Sequence, residues 1–217
     1  MQPTEVLLEV TAVLEALGVR YCVGGSFASS AYGEPRATRD ADILVALTTR
    51  HAAALVARLE PDFFVQLDAI QDAIALAPTL RDDPLHRATV NLIHRASFFQ
   101  IDLFVASGRA YEQAQFARRV PQTIAINPER YAYFVSAEDI VLIKLEWYRM
   151  AQGVLDRQWA DVLAVLATQG TVLDVQYMRA WATQLAISDL LEAALRGGAP
   201  PKRSSSSDDP QQLRLDL

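Results

Sequence analysis

The stretch Tyr21-Cys-Val-Gly-Gly-Ser-Phe-Ala-Ser-Ser-Ala-Tyr-Gly-Glu-Pro-Arg-Ala-Thr-Arg-Asp-Ala-Asp-Ile-Leu-Val45 decides how this chain is read. Tyr21 to Val23 is an apolar run suited to a buried strand. Gly24 and Gly25 permit a tight turn with close backbone approach, and Ser26 can open a helix, to Tyr32, whose free N–H groups face an anion. Pro35 prevents continuation, so Gly33 to Arg39 reads as an extended loop. Asp40 and Asp42 then open a second strand, Ile43 to Leu47. Residues two apart on a strand share a face, so both carboxylates aim at one place, which bare repulsion disfavours and a divalent cation favours. Each feature has a plainer reading: a solvated strand end for the acids, and a simple N-cap for Ser26.

A third acid lies further on, in Phe98-Phe-Gln-Ile-Asp-Leu-Phe-Val105. Alternation sends Phe99, Ile101, Leu103 and Val105 to one face and Gln100, Asp102 and Phe104 to the other. A carboxylate there needs a partner, whether a metal or an arginine. Ala88 to Ile93 and Phe98 to Val105 read as a hairpin that brings Asp102 toward the first pair.

The rest of the chain supplies helices and short strands. Leu7, Leu8, Val10, Val13, Leu14 and Leu17 recur at helical spacing before Gly18. A helix from Thr48 or Thr49 to about Leu59 follows, then a strand and helix between Asp62 and Leu76, and a loop from Pro78 to Arg87. After a helix near Tyr111 to Arg119 come extended pieces at Gln122 to Ile126 and Tyr131 to Val135. Ser136-Ala-Glu-Asp139 has capping-box form and starts a helix to about Gln152. Trp159 with Leu166, Tyr177 with Trp181, and Leu190 with Leu195 mark three more. From Ala199 the composition, with four consecutive serines, buries no core and reads as a disordered tail. The division that results is 1–135, 136–196 and 197–217.

Gly24-Gly25-Ser26, the Arg36-x-Thr38-x-Asp40-x-Asp42 block and Asp102 together resemble the signature of the nucleotidyltransferase superfamily related to DNA polymerase β. The similarity extends to its small bacterial and archaeal branch of minimal nucleotidyltransferases and AbiEii-type toxins. Ser136 to Arg149 and Asp156 to Asp161 look like the helical region that follows the catalytic sheet there. The resemblance implies an α/β (α+β) fold, a mixed β-sheet core flanked by helices with a C-terminal helical annex. It implies transfer of a nucleoside monophosphate from a nucleoside triphosphate such as ATP to an acceptor, with pyrophosphate released. Asp40, Asp42 and Asp102 would be catalytic and would hold Mg2+ or Mn2+. Gly24, Gly25, Ser26, Arg36, Thr38, Arg39 and Lys144 would meet the nucleotide. Arg36, Thr38 and Arg39 are otherwise exposed loop residues, and Lys144 on an apolar helix face otherwise snorkels to water.

The acceptor stays open among a protein hydroxyl, a tRNA end and a small molecule. Two other classes stay open as well: a nucleotide-binding regulatory or toxin–antitoxin component with a cognate antitoxin, and a metal-dependent phosphodiester hydrolase. Composition adds exclusions. Over 217 residues the formal net charge is −6, which argues against a broad nucleic-acid surface while leaving room for a local basic patch. A single Cys rules out an intramolecular disulfide framework, and no apolar run reaches membrane-spanning length, so the expected location is the cytoplasm. Cys22 reads as core, the three histidines lack zinc spacing, and Trp147, Trp159 and Trp181 read as helix packing. Asp161 and Arg157 read as residues that orient their helix.

Overall fold

Period-two alternation is the feature from which the sheet is built. In the computed structural model, which describes residues 2–83, 86–126, 128–151 and 156–201, Ala41, Ile43 and Val45 of β2 (Asp40–Val45) are buried while Asp40, Asp42 and Leu44 are only partly so. The same split runs through β5 (Gln100–Val105), with Ile101, Leu103 and Val105 inside. One-sided burial of this kind fixes register, because a slip by one residue would turn every apolar side chain outward. β2 and β5 accordingly pair parallel with Asp40 opposite Gln100 and Asp42 opposite Asp102.

Five further strands complete a mixed sheet. β1 (Tyr21–Val23) lies antiparallel to β2, β4 (Thr89–His94) antiparallel to β5, and the two-residue β3 (Phe63–Phe64) edges β4. On the other side β7 (Glu129–Phe134) runs parallel to β1, and β6 (Val120–Ile126) forms a hairpin with it. The strand order is therefore β3-β4-β5-β2-β1-β7-β6. The fold class matches the sequence reading, a mixed sheet flanked by helices.

α1 (Pro3–Ala16), α3 (Thr49–Leu59) and α4 (Leu67–Leu76) pack along one another and against β7 and β4. α2 (Gly25–Tyr32) follows β1 directly, one residue earlier than expected: Gly24, not Ser26, is its N-cap. α5 (Ala110–Arg118) packs on β1. The C-terminal helices are α6 (Ala137–Met150), α7 (Asp156–Gln169), α8 (Val175–Gln184) and α9 (Ser188–Leu195). Ser136 caps α6 by accepting from the Asp139 N–H at 3.1 Å, and the fully buried Asp139 carboxylate accepts from Tyr177 at 2.7 Å. α6 and α7 both lean on α2, so the C-terminal helices form the wall above the Asp40 face of the sheet. Residues from 202 on, most of the proposed tail, lie outside the described residues, as do Pro84 and Leu85 in the loop that precedes β4.

The α2–α7 contact is closed by a glycine. A Cβ on Gly33 would stand 3.0 Å from the Ser29 carbonyl oxygen and 3.0 Å from the Val165 backbone nitrogen. Backbone cannot swing aside as a side chain can, so Gly33→Ala should push α7 off α2 and cost about 1–3 kcal/mol in urea unfolding. An unchanged midpoint would show that the two helices are not in backbone contact.

Candidate functional site

The turn between β1 and α2 brings backbone and carboxylate unusually close. The Gly24 N–H donates to the Asp42 carbonyl at 2.8 Å. Gly25 sits at φ +55, and a Cβ there would fall 1.7 Å from Asp42 Oδ2. Only glycine serves, for both reasons at once: positive φ strains any L side chain, and the space is already filled. The Asp42 carboxylate thus lies over the N-terminus of α2, where unpaired N–H groups and the helix dipole favour negative charge.

Its neighbours act in the opposite sense. Burial first, then the charges of Asp40 and Asp102, push the Asp42 carboxyl up to about 6, against a smaller pull from Lys144. Asp40, two residues back on the same face, accepts from the Thr38 hydroxyl at 3.0 Å. Asp102, opposite Asp42 on β5, is held differently: the amides of Asn91 and Gln100 both donate to its Oδ1 at 2.6 Å. Among the described residues its partners are amides and not an arginine. Strand parity therefore places all three acids on one face and on neighbouring strands, but Asp102 is fastened by amides. Among the described residues no group of three His, Cys, Asp or Glu side chains stands ready to hold a metal ion. The pair Asp40 and Asp42 does fit a hard divalent cation: the donors are all oxygen, and the crowding that raises Asp42 is what a cation relieves.

Beside the acids lies a cationic knot that sequence spacing did not foretell. Asp161 of α7 accepts from Arg36 Nε at 3.2 Å and Nη2 at 3.0 Å, and from Lys144 Nζ at 2.8 Å. Arg36 Nη2 also donates to Ser26 Oγ at 2.5 Å, and Lys144 Nζ to Gln158 Oε1 at 2.9 Å. Burial raises the Asp161 carboxyl, but the hydrogen bonds and charges of Arg36 and Lys144 outweigh it and leave it below the usual range. Lys144 is held below its usual value, by burial foremost. Two cations and one anion leave a net positive charge beside Ser26. Asp161 does orient its helix, as expected, and it also sets the two cations in place. Arg39 and Arg157 are exposed at the rim and carry no ion pair among the described residues.

Ser26, Arg36, Asp40, Asp42 and Lys144 line a cavity of about 780 Å3 between the sheet and α6, whereas Asp102 and Asp161 are not among its lining residues. Leu44, Phe104, Ile143 and Trp147 line the same cavity, with Arg87, Glu112 and Gln115. Trp159 and Trp181 are packing residues, set against Tyr148 and Tyr111. Trp147 departs from that reading: it is 36% exposed, faces the cavity, and meets Phe104 edge-on at 6.3 Å. Helical spacing could not separate it from the core tryptophans. The signal lay in Phe104, an aromatic residue on the Asp102 face of β5.

No family model matches the chain, and no curated protein matches it in sequence. Seven chains of known structure match it. One is an antigenic nucleotidyltransferase-like protein from Paracoccidioides brasiliensis, 16% identical over 92% of this chain and 94% of that one, with a TM-score of 0.52. Another is the antibiotic-resistance factor ANT(2'')-Ia in solution, 13% identical over 91% of this chain and 97% of its own, with a TM-score of 0.48. The fold is thus that of nucleotidyltransferase-like proteins. The likeness of fold does not extend to the narrower branch of AbiEii-type toxins.

Two outcomes follow from the Asp42 environment. Because its folded value of about 6 exceeds the ordinary 3.8, the native state binds the extra proton and metal-free stability falls as pH climbs from 4 to 6. Asp42→Asn should flatten that slope and raise stability at pH 7 by roughly 1–3 kcal/mol, read from urea unfolding in chelator. A slope that survives the substitution assigns the proton elsewhere. Gly25→Ala should destabilise by at least about 2 kcal/mol, and Asp42→Ala should give much of this back in a double-mutant cycle. Strict additivity of the two would mean that Gly25 and Asp42 do not touch.

Proposed function

We propose that the protein transfers a nucleoside monophosphate from a nucleoside triphosphate to an acceptor hydroxyl. One observation carries this reading: Asp40 and Asp42 face the N-terminus of α2 beside Ser26, Arg36 and Lys144, at the mouth of a nucleotide-sized cavity. Anion-binding N–H groups, cations and paired carboxylates are the parts that phosphoryl chemistry requires in one place.

Asp40 and Asp42 would hold Mg2+ or Mn2+, which when bound supplies charge neutralisation along the triphosphate. Ser26 and the first-turn N–H groups of α2 take the terminal phosphates, and Arg36 and Lys144, held by Asp161, face the same anions. Asp102 is clasped through Oδ1. This leaves Oδ2 to accept the proton as the acceptor oxygen bonds to the α-phosphorus and the bond to the β-phosphate oxygen breaks. Pyrophosphate leaves past Arg39 and Arg157, whose charge also draws the polyanion in. No helix among the described residues is long and apolar enough to cross a membrane.

A second reading, nucleotide binding without transfer, is favoured by the amide clasp on Asp102. A site with two working carboxylates can bind a nucleotide and regulate a partner, as a toxin–antitoxin component would.

Label from the α-phosphate of a nucleoside triphosphate should move to a component of cell lysate with magnesium present, releasing pyrophosphate. Asp40→Asn should abolish transfer, whereas Ser26→Ala, which removes one hydrogen bond among several, should reduce it about 2- to 12-fold. Magnesium with a nucleoside triphosphate should raise the melting temperature, and Asp42→Asn should remove most of that rise. A rise with no transfer selects the second reading; no rise at millimolar ligand rejects both.

A further inference from the structure

The wall of the cavity carries a polar side chain that makes no hydrogen bond among the described residues. Gln115 is 6% exposed, lines the cavity, and its amide has no hydrogen-bond partner among the described residues. The polar groups around it are taken. Glu112 accepts from the Ser107 hydroxyl at 3.0 Å and from the N–H groups of Gly108 and Arg109 at 2.8 and 3.0 Å. Glu146 accepts from Arg87 and Arg109 at 3.2 and 2.8 Å. The Gln115 side chain is mostly buried but its amide opens on the cavity, where it can meet both a donor and an acceptor of a ligand.

The surfaces beside it specify what kind of ligand. Phe104 and Trp147 form an aromatic corner, with Leu44 and Ile143 completing an apolar slot. Leu44 and Phe104 lie on the same sheet face as Asp42 and Asp102, two residues further along β2 and β5. That is about 6.6 Å of strand, which leaves room for a ribose between an α-phosphate at Asp42 and a ring in the slot. A flat heterocycle with adjacent donor and acceptor atoms satisfies both the apolar walls and the amide. We infer that this slot is the nucleobase subsite, with Trp147 and Phe104 flanking the ring and Gln115 reading its hydrogen-bonding edge. The inference rests on the nucleotidyl-transfer reading and adds to it the residues that choose the base.

The test compares ATP, CTP, GTP and UTP with inorganic tripolyphosphate, each with magnesium, by calorimetric titration of wild type, Gln115→Met and Gln115→Ala. Wild type should bind at least one nucleotide more tightly than tripolyphosphate and rank the four bases. Both variants should weaken the preferred nucleotide about 2- to 12-fold, the loss of one hydrogen bond. They should also compress the ranking and leave tripolyphosphate unchanged. Nucleotide, but not tripolyphosphate, should quench tryptophan fluorescence, and Trp147→Phe should abolish that quenching. Because the amide has no protein partner, Gln115→Met should leave unliganded stability unchanged or raise it.

Loss of stability in Gln115→Met would assign the amide a structural role and overturn the inference. So would nucleotides that bind no better than tripolyphosphate, or a Gln115 variant that raises the acceptor's KM while nucleotide affinity stays as in wild type. If neither tripolyphosphate nor any nucleotide binds, the transfer reading falls and this inference with it. Tripolyphosphate binding without gain from the base removes the inference alone.

Discussion

The contact between the Asp42 carboxylate and the backbone of Gly25 is the constraint on which the site turns. It couples a turn that only glycine can make to the side chain of a strand residue, Asp42. Through it β1, β2 and the start of α2 are locked into one geometry, and the carboxylate is held against a helix N-terminus while two other acids crowd it. Such a position is tense without a counter-charge. The tension is local, since the opposite face of the same strands is entirely apolar and supplies the burial that holds them in place.

A second coupling concerns positive charge. Arg36 and Lys144 would be costly to bury together, yet Lys144 is only 3% exposed. Asp161 makes this possible by accepting from both. The arrangement exchanges raw charge for position: the net charge falls to one, but both cations keep fixed directions, and Arg36 is further fixed by Ser26. A preorganised pair loses little on meeting a phosphate, which suits a site that acts by placement.

Much of this was legible in the sequence because local chemistry and tertiary demand coincide. Alternation in Asp40–Val45 and Gln100–Val105 announced strands with one polar face, and the glycine pair announced the turn. The capping box at Ser136 placed α6 within a residue or two. What the sequence hid depends on distant partners. That Asp102 is met by Asn91 follows from the β4–β5 register, which periodicity does not state, whereas Gln100 shares its face two residues back on the same strand. That Gln115 is unmatched can be learned only by accounting for every neighbour. The plainer reading of Ser26 as an N-cap rested on its side chain type, whereas Gly24 takes that place through backbone geometry. Trp147 was grouped with packing residues because three tryptophans on amphipathic helices look alike until the cavity is seen.

Chain order gives one of these features a temporal meaning. β1 is flanked by β2, about twenty residues later, and by β7, whose Phe134 pairs with Val23 across 111 residues of chain. Asp161, which fastens Arg36, comes later still, 125 residues after it. On a ribosome the glycine turn therefore emerges before these partners and stands half-built, its cations unfastened and one strand edge open, until β7 and α7 have been made. Long-range closure of this kind slows folding and exposes unpaired edges on the way. The glycine turn is thus synthesised before the helix that fastens its cations, and a shortened chain that stops before α7 would carry the motif without the site.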